Sequence, residues 1–456
     1  MQRRRYQLAL LLAAAVVSIP LAAFADEASE ASLKTEVELL KAQLASQSAR
    51  IEKLEAEDAR RAPAAPPAKT AAGPAVIAEV VAAPVPAAVA AGEPAAPQSA
   101  TTIGGYGEIA YNAYLKDSSR NQADLKRFVL FFGHRFSDRL SFNSEFEVEH
   151  AVSSSSDQGE AEIEQAYLNY QVSAALNLRA GLFLMPFGFI NRNHEPPVFY
   201  GVERNEVETR IIPSTWREGG VSLYGALPHG FDYDLGVVTG FDVAKLDDTS
   251  APLHATHQEL QLAHAGNLSL YGSVDWRGEP GLDLGGGVFT GDTGQRNADF
   301  RQDPALPDFA RIKARMTLWD AHARLQLSGF DLEALYSRGT FADAAALDTT
   351  ILAYNTADGA DRPLVPAAFY GWLVQGAYTY NFNADVAISP FIRYERYDTQ
   401  ARLPLGLAAD PADRDKLLTV GLSFRPLSDI VLKADYQKFF DHPENDRFNF
   451  GLGYMF

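Results

Sequence analysis

The sequence predicts an all-β protein: a 16-stranded antiparallel transmembrane β-barrel, preceded by a short N-terminal coiled-coil helix and an Ala/Pro-rich linker. Three observations carry that prediction. The chain ends on RFNFGLGYMF, Arg447 to Phe456, a period-two strand. Phe448, Phe450, Leu452, Tyr454 and Phe456 share one face; Asn449, Gly451, Gly453 and Met455 share the other. An aromatic face of that kind suits a barrel that closes in lipid, with aromatic residues at the bilayer rim. From Thr102 onward, strand-like segments alternate with turns. Their connections alternate between short and long, the topology of a membrane barrel.

Residues 1–25 read as a secretory signal peptide. Arg3, Arg4 and Arg5 form a basic start, Leu8 to Ala23 an apolar stretch, and Ala23-Phe24-Ala25 a small-x-small cleavage site before Asp26. The alternative is an uncleaved anchor. Residues 26–61 are expected to form a periplasmic coiled coil. Leu33, Leu40, Gln47 and Leu54 occupy d positions, and Val37, Leu44 and Ile51 occupy a. β-branched residues at a with leucine at d favour a dimer, and Gln47 weakens that preference. A single solvated amphipathic helix is the alternative. Residues 62–101 are nearly all Ala and Pro and cannot pack a core. They read as an extended linker of ~3.1 Å per residue.

Residues 102–456 supply the barrel. Strands are expected to start near residues 102, 124, 139, 160, 176, 216, 231, 266, 281, 311, 329, 368, 384, 414, 429 and 445. Leu140 to Val148 shows the pattern best. Leu140, Phe142, Phe146 and Val148 take one face, and Ser141, Asn143, Glu145 and Glu147 the other. So polar a face needs water, and so apolar an opposite face needs lipid. Longer loops fall near 115–123, 152–159, 187–215, 242–265, 292–310, 342–366 and 399–413. The segment His254 to Trp276 can be divided in more than one way. At this strand number a barrel is expected to enclose water.

Bulk composition excludes other classes. The formal charge of −18 argues against nucleic acid as a partner. The chain has no cysteine, so it has neither disulfides nor thiol chemistry. Beyond the first 25 residues no apolar run reaches the ~18 residues of a spanning helix, a test that a β-barrel escapes.

Two segments carry a family resemblance. LRAGLFLMPFG, Leu178 to Gly188, precedes a long loop and then IIPSTWREGGVSLYG, Ile211 to Gly225. This pairing resembles the phosphate-selective porin O and P family, in which a strand ending in Pro-Phe-Gly, a long third loop and an Ile-Pro-x-x-Trp-x-Glu-x-Gly run recur. The N-terminal heptad and linker resemble trimeric members with a periplasmic coiled coil. The resemblance implies a homotrimer of 16-stranded barrels in the outer membrane. It also implies that the C-terminal strand addresses the barrel assembly machinery. The third loop would fold into the lumen as the constriction.

The expected chemistry is electrostatic and steric, with no cofactor, no metal and no catalytic residue. Constriction candidates on loop 187–215 are Arg192, Arg204, Arg210, Glu203, Glu206 and Glu208, with Glu195 beside them. Mixed signs allow either a transverse field or a set of internal salt bridges. By strand parity, Arg127, Arg135, Arg179, Arg324, Arg393 and Lys433 face the lumen, as do Glu108, Glu145, Glu147, Asp331, Glu333, Glu395 and Asp435. Trp216, Tyr170, Tyr378, Tyr380 and Tyr454 are assigned to aromatic girdles. His254-x-x-His257 has metal-like spacing but supplies half a site, and is read as solvated loop residues. Ser222 with His229 lacks any nucleophile-elbow context, so an enzyme is not expected.

The expected function is passive diffusion of small polar solutes through an outer-membrane channel. Phosphate and small carboxylates are the candidate anions. The alternative is a structural tether, in which the barrel anchors a periplasmic coiled coil.

Overall fold

A computed structural model describes residues 100–154 and 158–456. The expected signal peptide, coiled coil and nearly all of the linker lie outside the described residues. The strands are β1 (Thr101–Tyr114), β2 (Gln122–Arg135), β3 (Leu140–Glu149), β4 (Ala161–Ser173), β5 (Leu176–Leu184), β6 (Arg217–Leu227), β7 (Phe231–Val238) and β8 (Ser269–Glu279). They continue as β9 (Leu282–Asp292), β10 (Arg315–Leu327), β11 (Phe330–Phe341), β12 (Ala368–Tyr378), β13 (Ala387–Arg402), β14 (Arg414–Leu427), β15 (Ile430–Phe439) and β16 (Arg447–Met455). Tyr380–Asn381 extends β12 past Thr379 and pairs with the start of β13. Every strand begins within four residues of its expected position. The segment His254 to Trp276 divides at Ser269, with loop before it and β8 after it.

Each strand pairs antiparallel with its sequence neighbours, and β1 also pairs with β16, from Tyr106 opposite Met455 to Tyr114 opposite Arg447. The barrel is therefore closed. The seam is finished by the last residue: Phe456 N–H donates to Gly105 O at 2.9 Å, and Gly105 N–H donates to Phe456 O at 3.0 Å. A closed ladder leaves no edge amide facing hydrocarbon, where each unpaired group costs several kcal/mol.

The pleat sorts residues as the period-two pattern requires. Ile109, Tyr111, Ile392, Val420, Phe448 and Phe450 lie exposed on the outer face, while Glu108, Thr419, Asp435, Gln437 and Asn449 are buried within the barrel. Tyr170, Tyr378 and Tyr380 stand exposed near the turn end of the barrel, where Tyr378 packs on Phe330 and Tyr380 on Phe382. Tyr454 lies across Gly107 of the neighbouring strand, filling the place a side chain would take. Trp216 is a correction to the girdle assignment. It is fully buried inside the barrel, against Phe187, Phe241 and Phe289.

The interior also departs from the expectation of open water. Long loops fold inward and form an apolar cluster with wall residues. Phe183, Phe187, Ile211, Trp216, Phe241, Leu253, Phe289, Phe309, Leu335, Leu347 and Phe369 belong to it. Two loop helices were not anticipated, the short α1 (Ala298–Gln302) and α2 (Ala344–Asp358). The α2 helix buries Ala344, Leu347, Asp348 and Ile351, the i, i+3, i+4, i+7 stripe of an amphipathic helix. Asp348 accepts the Val365 N–H at 2.8 Å, and burial pushes its carboxyl up to about 6 although that bond pulls the other way. Its contribution to holding the loop is fullest below about pH 4 and is lost as pH rises through about 6.

Val420 faces outward near the middle of β14, beside Ile392 and Tyr436. Val420→Arg is expected to lower folding stability in lipid by about 2–4 kcal/mol. Denaturant titration followed by the heat-resistant folded band on a gel measures it.

Candidate pore constriction

The loop that joins β5 to β6, residues 185–216, begins and ends on the wall. Its two ends are stapled to each other. Met185 N–H donates to Trp216 O at 2.9 Å. The Asn191 side chain closes the neck. Its Nδ2 donates to Met185 O at 2.8 Å and Trp216 O at 2.9 Å, and its Oδ1 accepts Trp216 N–H at 2.7 Å. One buried amide thus meets donors and acceptors from both strand ends, which fixes where the loop leaves the wall.

From that neck the loop crosses the lumen. In a ring of 16 strands, β14 stands diametrically opposite β6. The loop's main chain is bonded there by wall side chains. Ser423 of β14 donates to Tyr200 O at 2.7 Å, and Lys433 of β15 donates to Gly201 O at 2.8 Å. Asp435 of β15 accepts the Val202 N–H at 2.6 Å, and Glu395 of β13 accepts the Glu206 N–H at 2.7 Å. Tyr200 OH donates to Asp331 at 3.0 Å. On the β1–β2 side, Asn112 donates to Glu203 at 2.8 Å, and Lys126 forms an ion pair with the same carboxylate.

A second device shapes the loop internally. Gly188 takes a left-handed φ of 65°, and the Glu208 carboxylate occupies the space that a Cβ there would need. That carboxylate accepts the N–H groups of Phe189 at 2.6 Å and Ile190 at 2.8 Å, and Asn205 Nδ2 at 2.7 Å. It folds the outgoing leg against the returning one. Val207–Ile211 forms a single π-turn, with Ile212 N–H bonded to Val207 O at 3.0 Å.

The six charged residues singled out on the loop are therefore placed very differently. Glu203 and Glu208 hold the loop through their carboxylates, whereas Glu206 is bonded to the wall through its main-chain N–H. Arg210 pairs with Glu206 at 2.5 Å and lies over the Tyr397 ring. Arg204 is enclosed at the loop's base, donating to Ser214 and, at 2.8 Å, to Thr215. Arg192 is the least covered of these cations, with 39% of its side chain exposed. It faces Asp275 at 3.5 Å and Asp234 at 3.9 Å beside a cavity of about 310 Å³, lined also by Asn177, Asp232 and Arg277. Glu195, named with them, is buried at the start of the short Pro196–Val198 turn.

The wall residues lie on the inward face, largely in pairs. Arg127 stands 3.5 Å from Glu108 and 3.6 Å from Glu147. Arg179 pairs with Asp234 and stacks over Phe183. Arg324 forks onto Asp331 at 2.6 and 2.9 Å and reaches Glu333 at 3.2 Å. Arg393 bonds Glu395 at 2.7 Å, and Lys433 sits over the Phe199 ring. Arg135 is exposed at the turn end of β2, and Glu145 accepts Gln165 at 2.5 Å.

A family model for phosphate-selective porin O and P matches residues 99–208. An uncharacterized protein of Aquifex aeolicus (strain VF5) is 32% identical over 361 residues, 78% of this chain and 80% of that one. The chain belongs to the phosphate-selective porin O and P family. Among solved structures, it is similar to OmpF of Salmonella typhi in complex with daunomycin, at TM-score 0.52 and 10% identity, over 78% of this chain and 97% of that one. It is also similar to the outer-membrane channel DcaP of Acinetobacter baumannii, at TM-score 0.46 and 16% identity, over 78% and 97% of the two chains. At such identities the OmpF likeness is one of fold. Fold and family are those of bacterial outer-membrane porins.

Sequence reading of this porin missed Asn191 and Ser423, because nothing local marks a side chain that bonds a distant main chain. Glu208→Ala is expected to leave three donors unpaired, the buried Asn205 amide and the part-buried N–H groups of Phe189 and Ile190, at up to about 1–3 kcal/mol each. Proteolysis within residues 185–216 should accelerate while the folded band persists; an unchanged cleavage rate would assign the hold to other contacts.

Proposed function

We propose that this chain forms a water-filled outer-membrane channel for passive diffusion of small polar solutes, with loop 185–216 as its constriction. One observation carries the reading: the loop leaves β5, spans the lumen and is bonded to side chains of β13, β14 and β15 on the far wall. A loop so held narrows the path by steric exclusion, and the charges around the remaining gap set its preference. Phosphate is the anion the family description names, and small carboxylates fit the mixed charges of the wall no worse.

The pairing of wall charges supports weak charge selectivity. Arg127, Arg179, Arg324 and Arg393 each have a carboxylate within 4 Å, so no run of unpaired guanidiniums is offered to an anion by these four. Arg192 against Asp234 and Asp275 is the arrangement suited to a transverse field. In this reading the remaining candidates act mainly on the shape of the gap. The homotrimer, the periplasmic position of the N-terminal segment and assembly through the C-terminal strand belong to the same proposal.

Planar-bilayer recording tests it. Purified protein should give stepwise conductance with a small reversal potential in a salt gradient, and Arg192→Glu should move that potential toward cation preference. Absence of steps would reject the channel. A reversal potential indifferent to Arg192→Glu would remove Arg192 from the path.

A further inference from the structure

The near side of the constriction loop carries a cluster that the clamp does not use. His194 is 2% exposed, on the loop's outgoing leg. Its Nδ1 faces the Asn191 carbonyl at 3.3 Å. A carbonyl only accepts, so Nδ1 bears the proton and Nε2 keeps its lone pair in the neutral ring. That lone pair points at two carboxylates: Glu145 Oε1 of β3 at 3.4 Å and Glu164 Oε2 of β4 at 3.7 Å. Glu145 and Glu164 are as buried as the histidine. Neither Nε2, Glu145 Oε1 nor either Glu164 oxygen has a hydrogen-bond partner.

These spacings, like the 3.3 Å at Nδ1, are longer than the ~2.7–3.2 Å of a well-made N–H···O bond. They match two donors sharing one ion. Ligands about 2.1 Å from a tetrahedral cation stand roughly 3.4 Å apart. Charge points the same way. Arg127 is taken by Glu108 and Glu147, and Arg217 by Glu162 and Glu259. Among the described residues, no lysine or arginine lies within 4 Å of Glu145 or Glu164, so His194 is the one cationic partner there, and even a protonated imidazole leaves one of the two buried negative charges unmatched.

We propose that Glu145, Glu164 and His194 bind one first-row divalent cation of the zinc class, which fastens the constriction loop to β3 and β4. Two carboxylates neutralise the dication, and the imidazole selects zinc-like ions over magnesium and calcium. The Asn191 carbonyl fixes the ligating tautomer, the usual outer-shell role. Asn191 thereby serves both the loop neck and the site. The site fastens the loop on the side where it leaves the wall, opposite the β13–β15 bonds, and stands independently of which solute passes.

The test uses the full-length folded protein, stripped with a chelator, titrated with zinc and desalted before elemental analysis. About one equivalent per chain should remain bound. Glu164→Gln, nearly isosteric, and His194→Ala should each weaken zinc binding at least about tenfold, with the heat-resistant band confirming folding. If His194→Ala fails to fold, Glu164→Gln carries the comparison. The His254→Ala, His257→Ala double variant should keep the equivalent. No retained zinc in the folded protein, retention unchanged in Glu164→Gln, or loss in the double variant would each overturn the proposal.

Discussion

Main-chain amides that enter a bilayer must find partners within the protein, and that constraint orders this molecule twice. The first time, it closes the ladder. Sixteen strands pair around the ring, and Phe456 bonds Gly105 at the seam, so no strand edge is left to hydrocarbon. The second time, it acts inside the lumen. A loop of 32 residues between Leu184 and Arg217 cannot cross the barrel with bare amides unless the wall or water answers them. Here the wall answers: Ser423, Lys433, Asp435 and Glu395 bond loop groups from the side opposite the loop's origin.

That division of labour explains why so many charges of the interior are spent on structure. Glu208 is occupied by two amides and Asn205, Glu395 by an amide and Arg393, and Asp435 by an amide and Asn449. A carboxylate so engaged offers a permeating ion less than its formal charge suggests. Charge count alone therefore misjudges a pore, because the same carboxylate that accepts two amides holds the shape of the gap instead of its field. Apolar packing completes the task on the β6–β12 side, where Trp216, Phe241 and Phe289 seat the loop against the wall.

Much of the barrel was legible in the sequence because its period of two is enforced by two different solvents. Strand starts and the closing role of the last strand follow from that alternation. The site was legible only in outline. Loop length and the Pro-Phe-Gly run marked a loop at residues 187–215, yet Arg204 and Arg192 look equivalent in sequence and differ in exposure, since one folds back on Ser214 and Thr215 and the other leans over a cavity. Trp216 was misassigned because an aromatic at a strand end suits a bilayer rim and a buried core equally well. The α2 helix was hidden by its Thr-rich, short stripe, which tertiary packing stabilises. His194 gave no signal, because Glu145 and Glu164 lie on strands far from it in the chain.

The account rests on the loop reaching the far wall. Val202 packs beside that wall, on β16: a Cβ built at Gly451 would lie 3.2 Å from a Val202 methyl, within reach of disulfide geometry. The chain has no cysteine of its own. Val202→Cys combined with Gly451→Cys should therefore yield one intramolecular disulfide under mild oxidation, with no thiol left to react and the folded barrel intact. Two freely reactive thiols in a folded barrel would mean that the loop does not cross the lumen, and would contradict the account at its centre.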